Sequence, residues 1–212
     1  MKISILVDNP GSWMVPYAKE LTEELRKRGH TAAYFEHAED IPAGDIACFL
    51  SCERIMPPEI RARNSHNLVV HESGLPYGKG WSPLTWQILE GKNDVPVTLF
   101  EAADEVDAGD IFGQQTIHFT GGELLDEMRK QQADVTKALI LEFVDAYPDR
   151  KARTQNGEET FYRRRRPEDS ELDPSKSILE LFNCLRVADN DRYPAFFSHK
   201  GRVYVLKIFP KE

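Results

Sequence analysis

The amino-acid sequence predicts an α/β fold, an open and mostly parallel sheet of Rossmann-like type, and three observations carry that expectation. A short apolar run, Ile3 to Val7, is followed at once by a segment of helical period, Val15 to Arg28. Further short apolar runs then alternate with loop signals and a helix-like stretch, as strands and helices wound into one sheet do. The best helical period in the chain, Glu123 to Ala146, closes the series.

Taken in order, Ile3 to Val7 reads as a buried strand. Val15 to Arg28 places Tyr17, Ala18, Leu21 and Leu25 on one helical face before Gly29 stops it. Strands are expected at Thr31 to Phe35, Ile46 to Leu50, Asn67 to His71 and Val95 to Phe100, with a helix over Pro83 to Glu90. Phe112 to Thr120 reads as another strand. The long helix sets Leu124, Leu125, Met128, Val135, Leu139, Ile140 and Phe143 at helical spacing between Gly121-Gly122 and Tyr147-Pro148. Asp149 to Arg166 is polar and irregular, Ser177 to Val187 a short amphipathic helix, and Ala195 to Ile208 a hairpin turning near Lys200-Gly201.

A chain of 212 residues can bury a full core, so residues 1–150 are expected to form the main domain. Residues 151–212 are expected to add a linker, a short helix and a β-hairpin. The formal charge of -8 disfavours a general polyanion binder, so nucleic acid is not expected as a partner. Cys48, Cys52 and Cys184 form no paired framework, Met1-Lys2 leads straight into an apolar run, and no stretch approaches the length of a bilayer span. The expected setting is reduced and cytoplasmic, away from a membrane.

Open α/β sheets bind ligands at the carboxyl ends of their strands, which directs attention to polar residues just beyond each apolar run. His71 ends its strand and is followed by Glu-Ser-Gly-Leu-Pro, a loop that would hold the imidazole at the sheet edge, where it can exchange a proton near neutral pH. Ser73 lies two residues on. Asp107 sits in a turn with the small Ala108 and Gly109, and a carboxylate beside His71 would raise its basicity and fix its tautomer.

The segment from Val69 to Gly91, followed by Val97-Thr98 and Asp107-Ala-Gly-Asp-Ile, resembles the signature of the formyltransferase superfamily. That pattern runs Asn-x-His, a Ser-Leu-Leu-Pro-like turn, a Gly, a helix and a late Asp-x-Gly. His71, Ser73, Leu75-Pro76, Gly80, Gly91 and Asp107 fall in the corresponding places. Ser51-Cys-Glu-Arg-Ile-Met-Pro resembles the family's folate-contacting loop, and the stretch from Arg165 to Asp173 resembles the exit from its catalytic domain. One position departs: the family's Asn should stand two residues before His71, where this chain has Val69. Asn67 is a further two residues back, about 6 to 7 Å along a strand. Asn67, a backbone N–H and a water molecule stay open as the stand-in.

The resemblance implies transfer of a formyl group from 10-formyltetrahydrofolate to an amine, with His71 as proton acceptor or oxyanion donor and Asp107 orienting it. It implies folate contacts from Arg54, Ile55 and Met56 and from the loop of Ala103, Asp104 and Asp107, and acceptor contacts from Asn9, Ser12, Trp13, Ser73 and Gly80. Among the branches, Gly80-Trp-Ser-Pro-Leu-Thr-Trp-Gln and Arg192-Tyr-Pro-Ala-Phe-Phe resemble the sugar N-formyltransferase of pseudaminic acid biosynthesis. The acceptor this implies is a UDP-linked 4-amino-4,6-dideoxy sugar. Hydrolysis of 10-formyltetrahydrofolate and a non-catalytic folate or nucleotide-sugar binding module are the alternatives. Transfer to initiator tRNA is disfavoured by the acidic balance and by a C-terminus that reads as one hairpin instead of a β-barrel.

Other readings are weaker. Asp-Asn-Pro-Gly-Ser-Trp after the first strand lacks the GxGxxG spacing of a dinucleotide site. His30, His37, His66, His118 and His199 show no HExxH, and Cys48 with Cys52 lacks further ligands, so no metal is expected. Arg163 to Arg166 is surrounded by acidic residues and reads as a solvated linker or a set of internal ion pairs. The terminal hairpin carries more apolar residues than a lone ribbon can bury, so it is expected to pack on the main domain or on a second copy, as a homodimer.

Overall fold

A computed structural model describes residues 1–211. The chain begins with β1 (Lys2–Leu6), α1 (Val15–Lys27), β2 (Thr31–Phe35), β3 (Gly44–Phe49), the single-turn α2 (Pro58–Arg61) and β4 (Asn64–His71). A two-residue β5 (Lys79–Gly80), α3 (Pro83–Leu89), β6 (Asp94–Glu101), β7 (Ile111–His118) and α4 (Leu125–Ala146) follow. The remainder contains β8 (Phe161–Tyr162), α5 (Phe182–Arg186) and the strands β9 (Ala195–His199) and β10 (Arg202–Leu206).

Six strands form the central sheet in the order β2-β1-β3-β4-β6-β7. The pairings β1–β2, β1–β3 and β3–β4 are parallel, whereas β4–β6 and β6–β7 are antiparallel. The expected open, mostly parallel sheet is therefore present, with its antiparallel edge closed by the hairpin between β6 and β7. The inner parallel strands β1 and β3 are buried on both faces along most of their length, which is why they read as continuous apolar runs, whereas the edge strand β2 is only half-buried. One face, with Ile3, Ile5, Ile46, Cys48, Leu68 and Val97, packs under α1 and α4. The other carries Leu6, Ala47, Phe49 and Val69 and packs with Met56 and Ile60 around α2.

Three departures from the sequence pattern have local causes. Helix α2, absent from the expected elements, is one turn started by Pro57-Pro58 and too short to show a helical period. The helix expected over Ser177 to Val187 shrinks to α5, because Ile178 and Leu179 are 73% and 86% exposed with no core beneath them. The segment expected to be an irregular linker instead holds β8, which pairs in parallel with β5.

The hairpin of β9 and β10 turns at Lys200-Gly201 as expected. Its Ala195, Phe197 and Leu206 pack with Leu172, Leu185 and Ala188, while Val203 and Val205 face solvent. No helix among the described residues is long and apolar enough to cross a membrane.

Candidate active site

The carboxyl ends of β1, β3 and β4 open into one cavity of about 900 Å³, roofed by the loop between β6 and β7 and by the C-terminal segment. His71 ends β4 and is only 7% exposed. Its Nε2–H donates to the carbonyl of Gly78 at 2.8 Å. A carbonyl can only accept, so Nε2 carries the ring proton and Nδ1 is left as the basic atom of the neutral imidazole. The tautomer is thus fixed by Gly78 and not by Asp107, whose Oδ2 lies 3.7 Å from Nε2 and accepts the N–H of Gly80 at 2.8 Å.

The backbone around this pair is specialised. Asp107 has φ +51, a left-handed conformation that costs an ordinary side chain and that Asp tolerates better than most. Gln155 pins it by donating to the carbonyls of both Asp107 and Gly109 at 2.8 Å. A Cβ on Gly109 would stand 1.6 Å from the carbonyl oxygen of Glu101, so only glycine lets the connection between β6 and β7 close over its own strand. Gly80, at φ +98, sits where a Cβ would meet the carbonyl of Tyr162 at 2.4 Å. Thr98 Oγ1 donates to the carbonyl of Ser73 at 2.6 Å and ties the loop after His71 to β6.

Of the residues expected to contact folate, Arg54, Ile55, Met56, Ala103 and Asp107 line the cavity. Met56 is core, 5% exposed, whereas Ile55 is 58% exposed at the rim. The Asp8 carboxylate holds their loop by accepting the backbone N–H groups of Glu53 and Arg54, at 2.9 and 3.2 Å. Asp104 points away and pairs with Arg61. On the acceptor side Asn9, Ser12, Trp13 and Gly80 line the cavity, while Ser73 is fully buried and does not.

Asn67 stays out of the cavity. Its Nδ2 donates to the carbonyl of Arg61 at 2.9 Å and its backbone N–H to Glu101, so the strand is not bulged to bring it forward. Val69 occupies the intervening position as a packing residue between the clusters around Phe49 and Phe100.

Three polar lining residues, Arg129, Gln132 and Thr136, are absent from the sequence expectation, and they share a face with Leu125, which was expected on the apolar side of the long helix. Leu125, Arg129, Gln132 and Thr136 form one row along α4 facing the cavity. Their spacing of four, three and four residues is a single helical face, and this polar interruption of the apolar period was the available signal. Arg129 pairs with Asp189 at 2.7 Å and places its guanidinium 5.7 Å from the Trp13 ring centre. Burial alone would raise the Asp189 carboxyl, but Arg129 and the N–H groups of Arg192 and Asp191 hold it below its usual range.

The arginine run is split in function. Arg163 pairs with Asp169, as the reading of internal ion pairs expects, but Arg164 and Arg165 line the cavity. Arg164 lies over Trp81 at 4.5 Å. Burial pushes the Arg165 guanidinium down, and the neighbouring Asp169 only partly offsets that. Cys52, also in the wall, is pushed up to about 12 by burial, so it stays a thiol and supplies no thiolate nucleophile at neutral pH.

Fold and site together define an α/β protein with its ligand cavity at the carboxyl ends of the strands and a histidine–aspartate pair at the base. Comparison with known proteins then gives the family. The chain belongs to the formyl transferase family, whose model matches residues 11–144.

A methionyl-tRNA formyltransferase from Streptococcus gordonii is 29% identical over 136 residues, 63% of this chain and 44% of that protein. The chain thus spans less than half the length of that curated relative. Among solved structures, the methionyl-tRNA formyltransferase from Clostridium thermocellum superposes with a TM-score of 0.84 at 21% identity, covering 100% of this chain and 94% of that one. HypX from Aquifex aeolicus in complex with tetrahydrofolic acid gives 0.83 at 20% identity, covering 98% and 38%. A sugar N-formyltransferase from Shewanella sp FDAARGOS_354 gives 0.69 at 15% identity, covering 100% and 98%.

Proposed function

We propose that this chain transfers a formyl group from 10-formyltetrahydrofolate to the amine of a nucleotide-linked amino sugar. The observation that carries the reading is the division of the cavity into two unlike walls that meet at His71 and Asp107. The wall beside α2, with Met56, Ile55 and Ala103, suits a flat heteroaromatic ring. Arg54 and the backbone of the Ala103 loop complete the folate side. A neighbour solved with tetrahydrofolic acid supports the donor.

The opposite wall is polar and basic in a chain of net charge -8. Arg192 reaches over the loop after β1, 3.7 Å from where a Cβ on Gly11 would stand. Among the described residues no carboxylate pairs with the Arg165 or Arg192 side chain. Two unpaired guanidinium groups at one end of a cavity fit the diphosphate of a nucleotide sugar. Asn9, Ser12, Trp13 and Gly80 complete that side, with Trp13 against the base. A UDP-linked 4-amino-4,6-dideoxy sugar, as in pseudaminic acid biosynthesis, is the acceptor the sequence resemblance favours.

In this reading His71 Nδ1 takes the proton released as the amine attacks and passes it toward the folate nitrogen, while the Asp107 carboxylate on the Nε2 side of the ring favours the protonated imidazole in between. No metal is required. Arg192→Met is expected to raise the acceptor KM by about 10- to 100-fold with kcat nearly unchanged, measured by steady-state kinetics.

Turnover with 10-formyltetrahydrofolate and a panel of UDP- and dTDP-linked amino sugars, with methionyl-tRNA included, tests the reading by mass spectrometry of the product. Formylated sugar supports it. Tetrahydrofolate and formate without product indicate a hydrolase, and folate binding without turnover a binding module. Formylated methionyl-tRNA would transfer to this chain what the curated relatives are named for. The same reading includes a homodimer through the hairpin, whose Val203 and Val205 stay exposed; sedimentation as a monomer would contradict it.

A further inference from the structure

A primary amine at neutral pH is mostly an ammonium ion, without the lone pair needed to attack a carbonyl, so formyl transfer to it requires a group that takes a first proton. His71 sits on the folate-facing side of β4, continuing the row of Asn67 and Val69. The next residue, Glu72, continues the alternation of the strand to the opposite side. There it lines the same cavity against α4, with its carboxylate beside the Gln132 amide.

The backbone at this position is tied down, since Gln87 Nε2 donates to the Glu72 carbonyl at 2.6 Å. Gln132 of α4 meets the carboxylate, and Arg129 and Thr136 on the same helical face line the cavity with it. Thr136 among them is 2% exposed, and its hydroxyl has no partner among the described residues. A half-buried carboxylate and a partnerless hydroxyl on the acceptor side, one residue from the histidine, match the hydrogen-bonding pattern of an ammonium ion.

We infer that Glu72 receives the acceptor's ammonium group and takes its first proton, which makes it the base that readies the amine for attack. This rests on the amine-transferase reading above. The ammonium becomes an amine and the carboxylate a carboxylic acid. The amine nitrogen then bonds to the formyl carbon as the bond from that carbon to the folate nitrogen breaks. A second amine proton passes through His71 to that nitrogen, and Glu72 returns its own proton to solvent.

Charge around Glu72 suits the task. Burial raises its carboxyl above the usual range, and His71 and Gln132 only partly offset this. The other charged groups lining the cavity are Glu53 and Arg54 from the loop after β3, Glu105 and Asp107 from the connection of β6 to β7, Arg129 from α4, already committed to Asp189, and Arg164, Arg165 and Arg192 from the C-terminal segment.

The test is the pH dependence of kcat/KM for the accepted amine in the wild type, Glu72→Gln and Gln132→Leu, with tetrahydrofolate affinity measured on each. Glu72→Gln is expected to lose about 100-fold or more at neutral pH and to recover as pH rises through the ionisation of the free amine, with folate affinity unchanged. Gln132→Leu, which removes an amide that favours the ionised carboxylate, is expected to move the acid limb to higher pH. A Glu72→Gln profile parallel to the wild type, whether equal or uniformly lowered, overturns the inference. If that variant does not fold, an acid limb unmoved in Gln132→Leu overturns it. Wild-type protein that formylates no amine overturns the inference together with the reading beneath it, whereas the variant outcomes bear on Glu72 alone.

Discussion

His71→Ala lowers kcat/KM for formyl transfer by about 10²- to 10⁴-fold while tetrahydrofolate still binds, because a positioned acid–base group contributes about that much. The residue is nearly inaccessible, and one ring nitrogen is committed to the carbonyl of Gly78. Only Nδ1 of the neutral ring is available as a base, so alanine leaves no substitute on that side of β4. Val69 and Asn67 cannot compensate, the first being apolar and the second bonded to Arg61. Equilibrium titration with tetrahydrofolate beside steady-state kinetics separates loss of chemistry from loss of binding. Unchanged turnover in this variant would remove the histidine from the reaction.

Gly109→Ala is expected to be the most disruptive single-methyl change in the chain. The added Cβ would fall 1.6 Å from the Glu101 carbonyl oxygen and 2.7 Å from its carbon, both backbone atoms that cannot rotate away. The connection between β6 and β7 has to lift off its own strand. That strains the N–H of Glu101, which donates to the Asp110 carbonyl at 2.9 Å, and the Gln155 contact that holds Asp107. Overpacking typically costs about 1–3 kcal/mol, and the upper end or more is expected here because both clashing atoms are backbone. Chemical denaturation reads the loss of stability, and activity falls with it because Asp107 is displaced. A variant as stable and active as wild type would contradict the tight closure of this loop.

The sheet was legible because its buried strands read as short apolar runs between turn signals, and Thr31–Phe35 matches the expected strand residue for residue. The site was legible at strand ends for His71 and Asp107, and through the family resemblance for Met56 and Trp13; all four line the cavity. It was not legible where tertiary packing decides. Ser73 and Asp104 sit close in sequence to lining residues, yet one is buried in the loop and the other turns to Arg61. Arg164 and Arg165 lie in a charge-mixed segment that resembles a linker. The pairing of β5 with β8 draws that segment across the cavity, and a two-residue ladder leaves no periodic trace in the sequence. Glu72 went unmarked beside its histidine because nothing local reveals that Gln132, sixty residues on, stands opposite it.

The central claim is that one cavity brings a formyl donor and an amine together. It is tested most directly by following ¹³C-formyl label from 10-formyltetrahydrofolate by NMR in the presence of a nucleotide-linked amino sugar. The account predicts that the label leaves the folate and reappears as an amide of the sugar, with one tetrahydrofolate released for each amide formed. Label recovered as free formate, or label that stays on the folate, would contradict it.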